Sequence, residues 1–143
     1  MQHPDEPDAA ARGAIESLAL QSLRLIDEGR AVEVAGLFAP EAALVVDGVR
    51  VEGEDGIFAR YAARMAQRGV VSRHALNNLR LRAVTGGTVS GSALLTVYKG
   101  ATEGAECAMV VADLDDLYGC LPGQGWRILE RRLRTVFRMG GVR

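Results

Sequence analysis

Aromatic side chains are scarce in this sequence: three Phe, three Tyr and one Trp among 143 residues. That leaves few faces for stacking on bases, and a formal net charge of −1 gives none of the basic surface that a nucleic-acid or polyanion binder needs. Cysteine is scarcer still. Cys107 and Cys120 fit neither a metal spacing nor a disulfide framework and read as ordinary reduced thiols. No window approaches the roughly 18 apolar residues of a membrane span. The opening MQHPDEPD is acidic and polar where an export signal has a basic start and an apolar run. These absences predict a soluble, cytoplasmic protein with neither nucleic acid nor membrane as partner. There is also no glycine-rich phosphate loop, nucleophile elbow or histidine-based metal motif, so neither cofactor nor metal is expected.

What is present is apolar material, 48% of the residues, enough for one sizeable core. Residues 1–8 carry two prolines and three acids and read as a disordered tail; 9–138 read as a single domain and 139–143 as a C-terminal tail. Over residues 8–28, Ile15, Leu18, Ala19, Leu25 and Ile26 recur at three- and four-residue spacing, which predicts a helix stopped by Gly29. Leu20, Leu23 and Asp27 make an adjoining stripe. Asp27 therefore sits at the helix C-terminus, where the macrodipole disfavours a carboxylate, and it needs a partner.

A shorter helix is expected over 31–38, ended by Pro40, then a strand over 42–46 and a turn at Asp47–Gly48, with Val49 and Val51 doubling back. A third helix, 54–68, opens on acids, carries Ile57, Phe58, Tyr61 and Met65 on one face and stops at Gly69. Strands follow at 71–84, 88–99, 107–118 and 126–137, with a hairpin signal at Gly86–Gly87. Helices followed by a long meander define an α+β domain. The expected shape is a cone-shaped barrel: a curved, mostly antiparallel β-sheet wrapped around three N-terminal helices. The space between them suits a small hydrophobic ligand.

His74 is the one histidine outside the N-terminal tail, and it lies in the strand-like run SRHALNNLRLR. Alternation would put His74, Leu76 and Asn78 on one face. An imidazole on the inner face of a sheet is either a satisfied core group or a proton carrier, and the residues alone leave both open. Asn78 could donate to a substrate carbonyl or merely satisfy a loop. Tyr61, Tyr98 and Tyr118 are the only phenols; Tyr61 falls on the inward face of the third helix, and Tyr98 shares a face with Leu94 and Thr96. Each is a candidate acid or a packing residue. Asp113, Asp115 and Asp116 stand near Arg127, Arg131, Arg132 and Arg134 and read as cross-strand ion pairs rather than a metal site. An inward-facing acid would be Asp113 or Asp115, which share a parity with Val111. The arginines read as a solvated or dimer-facing surface. Trp126 reads as a core anchor within possible reach of a ligand.

The element order, with LIDEGRAVEVAGLFAPEAALVVDG, EGEDGIFARY, SRHALNNLRL and GWRILERRL, resembles the SnoaL-like branch of the nuclear transport factor 2-like superfamily over about residues 12–138. That group includes ketosteroid isomerases, scytalone dehydratases, polyketide cyclases, epoxide hydrolases and binding-only proteins, and many are homodimers, which implies a homodimer through the sheet here. The resemblance implies that Asp27 pairs with His74, as the corresponding residues do in dehydratase members. It also implies departures. The tyrosine before that aspartate in scytalone dehydratase is Ile26 here, and a second tyrosine, on the first strand, is Val46. The ketosteroid isomerase base also falls on Val46, and its oxyanion tyrosine on Ser22. Asp47, one residue along, would face the other side of the strand.

The leading expectation is a cofactor-independent lyase or isomerase acting on a small apolar carbonyl compound of polyketide, steroid or terpenoid type. His74 would be its acid/base and Asp27 the orienter, with substrate contacts from Asn78, Tyr61, Tyr98, Asp113, Val46 and Trp126. A non-catalytic binding or dimeric assembly module is the alternative. An epoxide hydrolase or cyclase is a weaker one, because it requires Asp113 and Asp115 to face inward with the arginines.

Overall fold

Helix α1 (Ala9–Asp27) starts where the Asp8 carboxylate accepts the Ala11 N–H at 2.8 Å, an ordinary side-chain cap. It ends in a Schellman turn: Gly29, at φ 77°, donates to the Ile26 carbonyl and Arg30 donates to that of Leu25. A positive φ at this position is cheap for glycine alone. The computed structural model describes residues 5–140. After α1 come a 3-10 turn (Ala31–Leu37), strands β1 (Phe38–Val46) and β2 (Val49–Glu52), helix α2 (Gly53–Met65), and four long strands. These are β3 (Val71–Ala83), β4 (Val89–Gly100), β5 (Cys107–Leu121) and β6 (Gly125–Met139).

The strand order is β2-β1-β6-β5-β4-β3, antiparallel throughout except where β1 lies parallel to β6. The sheet curves around the helices without closing, and β2 and β3 remain its edges. This is the α+β cone expected from the pattern. Ile15 and Ala19 of α1, Val34 of the 3-10 turn, Ile57 of α2, and Tyr118 and Ile128 of the sheet are fully buried between the layers.

Five local expectations need correction. The second helix is a 3-10 turn, and β1 begins before Pro40. Its register against β6 shifts between Phe38 and Ala43, so a residue lacking an N–H sits where the ladder is already interrupted. On α2 only Ile57 and Tyr61 are buried, while Phe58 and Met65 lie exposed, because the helix meets the body along a narrow stripe of four-residue spacing. Of the tail expected over residues 1–8, residues 5–8 are held. The Asp5 carbonyl accepts the Ala83 N–H at 2.6 Å and Pro7 is buried. Residues 1–4 lie outside the described residues. At the other end Met139 still belongs to β6, and 141–143 lie outside.

Bulges decide which side chains face the helices. In β3 the register shifts between Asn77 and Arg80, and Asn78 takes φ 56°. In β6, Val111 pairs with Phe137 but Ala112 with Thr135, leaving Val136 extra; Leu117 pairs with Glu130 but Tyr118 with Ile128, leaving Leu129 extra. Each extra residue reverses the alternation beyond it.

Gly91 on β4 makes room for the buried Tyr118 ring. A Cβ there would stand 2.9 Å from Tyr118 Cε2 and 3.1 Å from Leu81 Cδ2. Gly91→Ala should destabilise the protein by about 1–3 kcal/mol through overpacking, seen as a lower thermal midpoint by circular dichroism. Gly36→Ala, whose Cβ would meet nothing within 4 Å, should leave the midpoint nearly unchanged. Equal midpoints for the two variants would refute the packing account.

Candidate active site

The C-terminal end of α1 delivers Asp27 to the start of β3. Asp27 Oδ1 lies 2.6 Å from His74 Nδ1 and accepts the Ser72 hydroxyl at 2.9 Å, while Oδ2 accepts the His74 backbone N–H at 2.8 Å. Arg64 of α2 donates to the Ser72 Oγ at 3.0 Å. These donors offset the macrodipole that disfavours a carboxylate at this end of the helix. A carboxylate at Nδ1 can only accept, so in the neutral imidazole the ring proton sits on Nδ1 and Nε2 keeps its lone pair. Among the described residues no group bonds to Nε2.

His74 lines a cavity of about 280 Å³ between helices and sheet. Leu23 and Ile26 of α1, Leu44 and Val46 of β1, and Leu95, Val97 and Leu133 of the sheet give it an apolar wall. Tyr61 and Arg131 supply polar groups, and Arg60, Arg64, Lys99, Arg138 and Asp47 also line it. The His74 side chain is only 8% exposed. Desolvation pulls its pKa below the ordinary 6.5, assisted by the charges of Lys99 and Arg64; the Asp27 hydrogen bond and charge push upward but lose. The expected gain in basicity from the dyad is therefore overridden by burial, and the ring is neutral at pH 7.

Opposite the dyad lies a second polar cluster, and it is fully buried. Arg131, 1% exposed, donates Nε and Nη2 to the two oxygens of Asp116 at 2.9 and 2.7 Å, and Nη1 to Ser22 Oγ on α1 at 2.8 Å. Tyr118 donates its hydroxyl to Asp116 at 2.6 Å. Burial alone would lower the Arg131 pKa, but the Asp116 charge and hydrogen bonds raise it above the ordinary guanidinium value, so it stays charged. Burial raises the Tyr118 pKa, and the Asp116 charge raises it further. Phe38 borders both this cluster and Tyr61: the guanidinium carbon is 5.9 Å from its ring centre, and the Tyr61 ring is 6.2 Å away, tilted. Burial raises the Tyr61 pKa, leaving a phenol at neutral pH.

The structure brings together His74, Asp27, Tyr61 and Val46, and removes other candidates from the cavity. Asn78 would share the His74 face by alternation, but its left-handed backbone in the β3 bulge turns it to the outer face, beside Asp113 and Asp115. Tyr98 lies between the inward Val97 and Lys99 on β4 and so points outward, 41% exposed. Asp113 faces out and pairs with Arg134 at 2.5 Å. Trp126 packs against the main core and is not among the cavity residues.

The inward acid is Asp116. The apolar run before it is continuous, so parity could not be read from Val111; it is Val110 that faces in. Arg131, expected on a solvated or dimer-facing surface, is buried for the same reason. Asp47 also lines the cavity. It sits past the strand end at φ 48°, where the alternation rule stops applying, and accepts the Thr135 N–H and hydroxyl at 2.7 and 2.8 Å. Those bonds, the backbone one foremost, hold its pKa low. Lys99 also lines the cavity, two steps along β4 from Val97 on the same face. Among the described residues no group of three or more His, Cys, Asp or Glu is placed to hold a metal ion, and no helix is long and apolar enough to cross a membrane.

The fold is that of the SnoaL-like branch of the nuclear transport factor 2-like superfamily. The chain belongs to the SnoaL-like domain family, whose model matches residues 7–132. No curated protein matches the sequence. Among solved structures, one is a scytalone dehydratase candidate from Novosphingobium aromaticivorans, 16% identical, covering 94% of this chain and 90% of its own at TM-score 0.81. A hexachlorocyclohexane dehydrochlorinase, LinA-type3 from Novosphingobium barchaimii, is 21% identical over 93% and 91%, at 0.79. A protein from Catenulispora acidiphila in complex with S-DNPA is 16% identical over 90% and 95%, at 0.77. At these identities the likeness is one of fold.

Two predictions follow from the polar clusters. Asp116→Ala strands a buried guanidinium and should cost about 3–5 kcal/mol in urea unfolding. Asp113→Ala breaks a solvent-exposed pair and should cost under about 1 kcal/mol; similar losses would contradict the inward assignment of Asp116. His74, with a folded pKa below its unfolded value, contributes stability that is complete above pH 6.5 and lost as the pH falls through the folded value. Urea midpoints should therefore drop on acidification, and His74→Gln should shallow that drop. Identical pH slopes for parent and variant would rule the linkage out.

Proposed function

We propose that this protein is a cofactor-independent lyase of dehydratase type, acting on a small, largely apolar carbonyl compound of polyketide, steroid or terpenoid kind. The observation that carries this reading is an imidazole on the cavity wall whose Nδ1 is fixed 2.6 Å from Asp27 and whose Nε2 has no bonding partner among the described residues. A neutral Nε2 can take the proton α to a carbonyl; the electron pair left behind forms an enolate. The enolate expels the β-hydroxyl as the imidazolium returns the proton to it, giving water and an enone. Asp27 holds the ring's orientation and tautomer and stabilises the imidazolium. Tyr61 and Arg131, on the same cavity, are the donors available to the enolate oxygen. They stand in for the phenols lacking at Ile26 and Val46. The names of two matched structures, a dehydratase candidate and a dehydrochlorinase, are in keeping with elimination chemistry.

A second reading is a binding module. It is favoured by Ile26 and Val46 themselves, which line the cavity as bare hydrocarbon where family enzymes place tyrosines. The epoxide hydrolase alternative loses its footing, since Asp113 and Asp115 face outward and only Asp116 meets Arg131.

The test is a panel of cyclic β-hydroxyketones, followed by enone absorbance and by exchange of the α-proton with deuterated water. His74→Gln should lower kcat by about 10²–10⁴-fold, the range for removing a general acid/base, with the far-ultraviolet spectrum unchanged. Asp27→Asn should lower it less. The profile of kcat/KM should rise through an apparent pKa below 6.5, because the active form is the neutral ring. Ligand binding without exchange in the parent would move the protein to the binding-module class, and exchange indifferent to His74→Gln would remove His74 as the base.

A further inference from the structure

One side of the cavity is strongly cationic. Arg60 and Arg64 lie one turn apart on α2, Lys99 is near the end of β4, and Arg138 is near the end of β6; all four line the cavity. Their places follow from register. His74, Val97, Val110 and Arg138 are partners in one row across β3, β4, β5 and β6, and the β6 bulge at Val136 is what turns Arg138 inward. Lys99 pairs with Ser72, two residues outward from the His74–Val97 pair on the same face, next to the serine that Arg64 bonds.

Counter-charge is missing. Arg12, Arg30, Arg50, Arg131, Arg132 and Arg134 each have a carboxylate partner. Among the described residues no carboxylate pairs with Arg60, Arg64 or Lys99, and Arg138 reaches Asp47 only at 3.6 Å. Asp47 is already held by Thr135, and Asp27 by Ser72 and His74. Lys99 is half-buried, and its pKa is lowered by desolvation and by the charges of Arg64, Arg60 and Arg138. Four mutually repelling cations at the edge of an apolar cavity disfavour the empty state, and a bound anion would relieve them.

We propose that the cavity takes an organic acid: an apolar body against Leu23, Ile26, Leu95 and Val97, with its carboxylate on Lys99, Arg64 and Arg60. This deepens the lyase reading, on which only the word substrate depends. A carboxylate fits better than a phosphate. Arg60 and Arg64 approach from the C-terminal half of α2, whose dipole disfavours a dianion more than a monoanion, and among the described residues no helix N-terminus opens onto the cavity.

Calorimetry with 2-naphthoate and its neutral counterpart 2-naphthamide tests the subsite. Naphthoate should bind about tenfold tighter at low ionic strength, and the advantage should shrink at high salt. Arg60→Gln and Lys99→Gln should each reduce the naphthoate affinity severalfold and leave naphthamide as it was; Arg60 is exposed, so its variant folds even if the Lys99 one does not. Equal binding of acid and amide in the parent, or an acid preference that survives in the folded variants, would overturn the proposal. Displacement of naphthoate by inorganic phosphate, beyond that by chloride at matched ionic strength, would overturn the choice of a carboxylate. The two proposals fail separately. An acid preference without α-proton exchange sinks the lyase and keeps the subsite, whereas turnover of neutral ketones without an acid preference does the reverse.

Discussion

A carboxylate at the wrong end of a helix holds this site together. Asp27 closes α1, where the backbone already presents negative partial charge, and it is tolerable because β3 supplies the donors. The Ser72 hydroxyl, the His74 N–H and the His74 ring converge on its two oxygens. The same bonds fix an edge strand to the helix. Without them the imidazole would lose its tautomer and β3 its best anchor, so site and fold share one set of contacts. Five residues earlier on α1, Ser22 accepts from Arg131 on β6. One helix thus makes polar bonds to the edge strand and to a central strand, which requires the sheet to curve around it. The cavity is the space left between those two attachments.

The two polar clusters are chemically opposite. Arg131 and Asp116 form a buried ion pair, satisfied by Ser22 and Tyr118, that stays ionised because breaking it would leave a naked charge in the core. An apolar core can serve stability as well, but the pair fixes β5, β6 and α1 in one register. His74 and Asp27 are less deeply buried, and burial there acts against the cation. The result is a permanently charged guanidinium and a neutral imidazole on the walls of one cavity. A permanent cation suits a developing enolate, and a neutral ring suits proton abstraction.

Much of the architecture was legible in the residues. Helix periodicity, the Gly29 stop, the hairpin glycines and the alternating strands give the α+β order, and the awkward place of Asp27 with the lone His74 points to their contact. What stayed hidden was parity. A β-bulge is one residue of irregular backbone, and in this chain its signals are weak: Asn78 is a residue tolerant of positive φ, but Leu129 and Val136 are ordinary strand formers. Each bulge reversed a face, so Asn78 moved out while Arg138 moved in. The run before Asp116 is apolar at both parities, so nothing local said which of three aspartates was buried. Asp47 was misplaced by applying alternation one residue beyond the strand.

The cationic rim and the dyad are coupled. Lys99 and Arg64 are among the causes that keep the His74 pKa low, so each is also a term that a ligand can cancel. An anion resting on them would remove the repulsion felt by an imidazolium. That change favours the protonated ring, against the further desolvation that a body filling the cavity brings. On the two proposals taken together, a seated carboxylate would give the neutral base more driving force than it has with a neutral ligand. On those proposals, recognition of charge at the rim and proton transfer at the wall would be one electrostatic event, and the spacing between Lys99 and His74, set by two residues of β4 and one strand pairing, is the dimension that would join them.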